Sequence, residues 1–352
     1  MNPKLQWLRN KMSSLDLQGL IISNPINIKY LTNIDAEGIL LLTRKENIYI
    51  TDGRYIEDVH TVLTLFDEII VYDVNDISLE DYENFFMFCE NVGFEENYVT
   101  YAKYKEYIRK YKINNFVETE NIIEKQRMIK DEEEISNIKK ACEITDNCFS
   151  YILTYIKPGM TEKQIAHEIE EYYKQRTDGL SFDTIVASGE NTSKPHAVPT
   201  DRKIEEEDII TIDMGCKVNG YCSDMTRTFF IGKVPEYIKP IYDLVLKNQM
   251  QVLESYKDGA NTRQVTKMVE NDFKLNGYDL IHSIGHGVGL EIHEAPYISY
   301  RSEATLKENM IVTNEPGIYI PGKFGIRIED TTQITKFGCI NLTKSEKNYI
   351  II

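Results

Sequence analysis

Apolar positions along the chain change their rhythm twice. Over residues 1–122 they gather in short continuous runs, Leu20-Ile21-Ile22, Ile39-Leu40-Leu41-Leu42 and Ile48-Tyr49-Ile50, interleaved with helical patterns and a turn at Ser23-Asn24-Pro25. Runs of this kind mark strands covered on both faces, so the region reads as a small α/β domain. A charged stretch from Lys125 to Glu134 follows. Beyond it Ile135, Ile138, Cys142, Cys148 and Ile152 recur at helical spacing until Pro158-Gly159 ends the pattern. Thr161 with Gln164 three residues later is a capping box opening the next helix. From Phe182 the pattern becomes strand-like, interrupted by one helical stretch over 238–275. Helices followed by many antiparallel-looking strands predict an α+β fold for residues 123–352.

The most informative strand pair is DIITIDMG and YCSDMTRTFFIG, which flank Asn219-Gly220, a two-residue turn suited to a hairpin. In that register paired positions sum to 439, so Asp213 faces Thr226 and Asp224 faces Gly215. Both carboxylates then lie on one side of the ribbon as diagonal neighbours, ~7–8 Å apart or less. They require a cation, either a Lys or Arg or a metal. Lys217 has the right parity but sits near the turn, and Arg227 faces the other way. Farther on, IHSIGHGVGLEIHEAP holds His282, His286 and His293, and its glycines argue against a helix. An extended segment would put His282 and His286 on one face. Glu315 precedes Pro316-Gly317, and Glu329 shares a face with Arg327 in Ile326-Arg327-Ile328-Glu329. Two Asp, one His and two Glu on stiff segments suit a pair of divalent ions such as Mn, Co, Fe or Zn. Two such ions ~3.5–4 Å apart can activate a water held between them.

Charge narrows the partners. Fifty-six Asp and Glu against 40 Lys and Arg give a net charge of −16, which argues against nucleic acid and anionic membranes. No apolar run is long enough to span a bilayer. Six scattered cysteines without a CxxC pair, and a start lacking a signal-type apolar core, fit a reducing, cytoplasmic setting. Between Arg54 and Lys103 there are twelve acidic residues and no Lys or Arg, which reads as a solvated face. Phe85, Phe86 and Phe88 are expected to pack a core or a subunit contact.

The ordered set Asp213, Asp224, His286, Glu315 and Glu329 resembles that of the pita-bread-fold metallopeptidases. The flanking HxxxHGxGLxxHE, NEPGxY and GIRIED narrow the resemblance to the Xaa-Pro peptidases, aminopeptidase P and prolidase, and SNPINIKYLT and TDGRY resemble their creatinase-like N-terminal domain. The resemblance implies a pita-bread catalytic domain over 123–352, preceded by a smaller creatinase-like α/β domain over 1–122. It implies two divalent ions per chain, manganese first with Co, Zn or Fe as alternatives, and a homodimer acting on proline-containing peptides. Asp213 would bind one ion, Asp224 and Glu329 would bridge the two, and His286 and Glu315 would complete the second site. His293 would polarise the substrate carbonyl, His196 would touch the leaving-group side, and His282 would line the pocket. Arg327 would support a bridging carboxylate, with Tyr319 behind it, and Glu315 would also shuttle a proton. Some prolidases of this length carry an Arg shortly after HExP. Here Tyr297 follows Pro296 and the nearest Arg is Arg301, a departure that points to aminopeptidase P over a strict dipeptidase. Methionine aminopeptidase lacks the extra domain, creatinase the metal ligands, and a non-catalytic pita-bread binding module would have lost ligand positions. A dinuclear phosphoesterase would need a basic phosphate clamp.

Overall fold

The structure, a computed structural model, describes residues 2–63 and 69–352. It divides into two compact units, with the division between Arg127 and Met128. The charged stretch had suggested a boundary at 122; the short helix Ile122–Arg127 ends the first unit instead.

In the first unit the apolar runs form a six-stranded sheet in the spatial order Ile69–Asp73, Asn47–Thr51, Gly38–Thr43, Gly19–Ile22, Asn91–Phe94 and Asn115–Glu118. Its middle is antiparallel and its flanks are parallel. Asn24 is the N-cap of helix Pro25–Thr32, its side chain accepting from the Ile26 amide, so the Ser23-Asn24-Pro25 turn is a helix start. Phe86 is buried against Tyr111 and Phe85 packs partly beside it, but Phe88 is 88% exposed and belongs to neither core.

In the second unit the helical spacing gives Glu132–Tyr155, and the Thr161–Gln164 box opens Glu162–Lys174 with both reciprocal hydrogen bonds made. The expected single helix over 238–275 is two, Lys239–Ser255 and Thr262–Leu275. Gly259 at φ 83° turns the chain, and the Asn261 side chain caps the second helix. The two strand runs near the C-terminus also divide. Ile311–Asn314 and Asp330–Ile334 pair within a five-stranded sheet, while Gly317–Ile320 and Phe324–Arg327 form a separate ribbon.

The unit contains an internal echo one hundred residues apart, a period too long to register as a short repeat. Gly159 (φ 93°) and Gly259 (φ 83°) each precede a capped helix, Glu162–Lys174 or Thr262–Leu275. The residue before each helix forms an isolated bridge, Thr161 to Lys203 and Asn261 to Thr305. Each half contributes a helical layer whose apolar stripe is buried against strands. Ile165, Ile169 and Tyr173 pack with Ile210 and Ile212; Val265, Val269 and Phe273 pack with Ile298 and Val312.

Candidate active site

The hairpin register is the predicted one. Met225 pairs with Met214 and Thr226 with Asp213, and beyond an interruption Val218 pairs with Tyr221 across Asn219-Gly220. Asp224 falls in that interruption, opposite Gly215, where a Cβ would lie 2.0 Å from the Ser223 carbonyl oxygen. Asp213 and Asp224 both face a cavity of about 420 Å³, as do His286, Glu315, Arg327 and Glu329. His286 comes from strand Gly285–Gly287 and Glu315 from just past Ile311–Asn314. Glu329 lies in the break between Phe324–Arg327 and Asp330–Ile334. That break explains why a Glu in an apparently alternating strand is buried.

Asp224, His286 and Glu329 each offer one ligand atom, and these atoms lie within 4.8 Å of one another. His286 Nε2 is 3.5 Å from Asp224 Oδ2 and 3.4 Å from Glu315 Oε1. Its Nδ1 lies 3.1 Å from the Gly287 carbonyl oxygen, which can only accept. The proton therefore sits on Nδ1 and the Nε2 lone pair faces the carboxylates. Burial pushes the His286 pKa down and keeps the ring neutral. Burial, and then the other carboxylates, push Asp224 and Glu329 well above the usual carboxylate range; burial also raises Glu315. Anions gathered in this way call for a cation.

One cation is built in. The Arg327 guanidinium donates to Asp213 Oδ2 at 2.7 Å, to Tyr319 OH at 2.7 Å, to Thr226 Oγ1 at 3.0 Å and to the Pro195 carbonyl at 3.1 Å. Burial opposes its charge, but Tyr319, Asp213, Glu329 and Glu315 outweigh that and hold it on. The direct bond thus goes to Asp213. Glu329 is reached through Thr226, whose hydroxyl donates to Glu329 Oε2 at 2.6 Å. Asp213 Oδ1 remains buried with no hydrogen-bond partner. An unpartnered carboxylate oxygen beside three carboxylates and a neutral imidazole lone pair fits hard divalent cations.

The remaining predicted residues form the walls. His282 Nε2 is 3.1 Å from Tyr319 OH, and burial pushes that phenol up to about 12. His293 and His196 stand exposed at the cavity, with the His293 and His286 rings 4.4 Å apart. Burial lowers the pKa of both His282 and His293. Phe182, Asp183, Ile185, Val198 and Ile292 also line the cavity and carried no sequence signal, and Tyr297, noted in the sequence for its place after Pro296, lines it too.

Two groups behind the site were also missed. Arg227 does face away from Asp213, yet it is buried: it pairs with Asp330 at 2.8 Å and donates to the Glu329 carbonyl. Lys130 forms a buried ion pair of 2.7 Å with Glu294, beside His293. A polar residue's parity in a strand excludes one face; it does not make the other face solvent.

Residues 136–336 match the model of metallopeptidase family M24, and residues 4–129 match the creatinase/prolidase N-terminal domain. The chain belongs to metallopeptidase family M24. It is a hydrolase of that family, and the α+β class with a pita-bread catalytic domain behind a creatinase-like domain is as the sequence led us to expect. It is 38% identical to an uncharacterized peptidase of Bacillus subtilis, YqhT, over 99% of this chain and 100% of that protein. The solved structure of an Xaa-Pro dipeptidase from Bacillus anthracis is 35% identical with a TM-score of 0.93, covering 99% of each chain. That of an X-Pro aminopeptidase from Thermotoga maritima is 30% identical with a TM-score of 0.88, covering 97% of this chain and 100% of the other. Family M24 membership carries the use of divalent metal. Among the described residues no helix is long and apolar enough to cross a membrane.

Proposed function

We propose that this M24 hydrolase is an exopeptidase that cuts the bond between an N-terminal residue and proline, in peptides that continue beyond the proline. The observation that carries this reading is the meeting of Asp224, His286, Glu315 and Glu329, with Asp213 alongside, on one wall of a cavity edged by three histidines. Asp213, Asp224, His286, Glu315 and Glu329 would hold two divalent cations, manganese foremost, which supply Lewis acidity that polarises the scissile carbonyl and makes water acidic. His293, neutral and exposed to the cavity, donates to the oxyanion as it develops. Glu315, among the groups that would hold the cations, takes the proton from the attacking water and passes it on. A bond to proline releases a secondary amine, so that proton has to be delivered to the nitrogen. His196 contacts the leaving-group side, while His282 and Tyr319, bonded to each other, shape the wall. The protein works in the cytoplasm as a homodimer.

The choice between a longer peptide and a dipeptide turns on the free carboxylate after proline. Of the described residues that line the cavity only Arg327 is a Lys or Arg, and its guanidinium is taken up by Asp213, Tyr319, Thr226 and Pro195; Asp183 adds negative charge. A cavity of this kind offers a free carboxylate little, which supports the longer peptide. The dipeptidase reading draws its support from the name of the 35% identical Bacillus anthracis structure. Hydrolysis of Ala-Pro and Ala-Pro-Ala by manganese-loaded and chelated protein tests both. We expect metal-dependent cleavage with the tripeptide preferred. Cleavage of Ala-Pro alone reverses the preference, and activity indifferent to chelation removes the metallopeptidase mechanism.

A further inference from the structure

Glu162 is the first residue of helix Glu162–Lys174, and its side chain is wholly buried. No Lys or Arg pairs with it among the ion pairs of the described residues. Five donors from a single stretch of chain surround its carboxylate. Oε1 accepts from the Ser188 amide at 2.7 Å, the Ser188 hydroxyl at 2.7 Å and Asn191 Nδ2 at 3.1 Å. Oε2 accepts from the Thr200 amide at 2.9 Å, the Thr200 hydroxyl at 2.6 Å and Asn191 Nδ2 at 3.2 Å. One carboxylate therefore fastens both ends of the loop that carries Pro195, His196 and Val198 to the cavity. The loop has no helix or strand beyond Ser193 to stiffen it. Arg327, on the far side, holds the Pro195 carbonyl.

The internal echo provides a control. The Gly159 amide bonds to the Ile204 carbonyl at 2.8 Å, and one hundred residues on, Gly259 bonds to Leu306 at 2.9 Å. The Glu162 amide bonds to Arg202 at 3.1 Å, and Thr262 bonds to Ala304 at 3.0 Å. The second half thus builds the same helix start and backbone ladder with a threonine where the first has Glu162. Helix and ladder do not require a carboxylate, whereas the His196 loop is where this one is used. We infer that Glu162 is a positioning residue, a buried anion that sets the His196 loop against the leaving-group side of the substrate. This rests on the reading of His196 as a substrate contact.

Glu162→Gln keeps the shape but turns an amide NH₂ toward donors. The test combines that variant with His196→Ala and the double variant, followed by amide hydrogen exchange on the whole metal-free chain and by kcat/KM for Ala-Pro-Ala on the manganese-loaded enzyme. We expect exchange over residues 189–200 to quicken at least about tenfold with strand Ile209–Met214 unchanged, and metal content to stay at the wild-type level. We expect kcat/KM to fall about 10- to 100-fold, the scale of a catalytic group displaced by ~1 Å. In the His196→Ala background the same change should cost less than about threefold, because it acts through the residue already removed. Unchanged loop exchange, or an undiminished loss in the His196→Ala background, overturns the inference. Wild-type kcat/KM in His196→Ala removes the underlying reading of His196 and the inference with it, a failure recognisable as separate. Should Glu162→Gln not fold, Thr200→Ala removes one of the five donors and should move loop exchange and kcat/KM in the same direction, about two- to fivefold; no movement in either overturns the inference.

Discussion

Arg327→Met separates the two ways in which this site can be neutralised. The guanidinium and Asp213 are 2.7 Å apart, with side chains only 5% and 13% exposed. Removing one partner of such a pair leaves a buried charge uncompensated, at a cost of about 3–5 kcal/mol. In a unit the size of Met128–Ile352 each kcal/mol moves the melting temperature by roughly 2–4 °C, so the chelated variant should melt about 6–20 °C below chelated wild type. With divalent cations bound, Asp213 has another positive neighbour. What remains lost are the hydrogen bonds to Tyr319, Thr226 and the Pro195 carbonyl, about 1.5–4.5 kcal/mol in net. The deficit in saturating manganese should therefore be smaller than that in chelator. Differential scanning calorimetry of wild type and variant, each with EDTA and with manganese, measures the four numbers. Arg327→Lys, which keeps the charge but not the fork, should fall between them. Equal deficits with and without metal would show that Arg327 does not stand in for a cation at Asp213.

Four further outcomes follow from the geometry. Glu315→Gln, compared with wild type at equal bound metal by elemental analysis, should lose at least about 100-fold in kcat; wild-type turnover would remove Glu315 as the proton carrier. His286→Ala and Glu329→Gln should each lower bound metal by at least half after dialysis, and full retention would place the ions elsewhere. The Glu162 carboxyl lies below the usual carboxylate range: burial works against its ionisation, and the donors of Thr200, Ser188 and Asn191 outweigh it. A depressed native pKa contributes stability above the unfolded-chain value and loses it as pH falls through the native one. Urea midpoints of wild type and Glu162→Gln should thus differ most near pH 7 and converge below about pH 4, and a gap that widens on acidification contradicts this. At Gly325 a Cβ would lie 2.2 Å from the Thr192 carbonyl oxygen, so Gly325→Ala should destabilise by about 1–3 kcal/mol in denaturant titration, where a neutral result would mean the two segments part easily.

Local chemistry made much of this legible. Asn219-Gly220 fixed a register that placed Asp213 and Asp224 on one face, and Thr161 with Gln164 announced a helix start, because both signals act within a few residues. The break at 256–261 was also written locally, in Gly259 and Asn261, but an apolar rhythm on either side masked it. What could not be read were charges whose partners lie far along the chain. Glu162 meets donors 26 to 38 residues away, Arg227 meets Asp330, Lys130 meets Glu294, and the cation answering Asp213 comes from Arg327 rather than from the hairpin. Periodicity reports whether a side chain is apolar and so misfiles a buried, satisfied charge as a surface one.

The Asn219-Gly220 ribbon closes through short-range pairing, a process of microseconds, whereas His286, Glu315 and Glu329 join only after much longer stretches have been drawn together. A chain emerging from the ribosome can therefore bring Asp213 and Asp224 together before His286, Glu315 and Glu329 arrive. Which of the acidic groups meet first in folding is thus set by their separation along the chain and not by their place in the finished site.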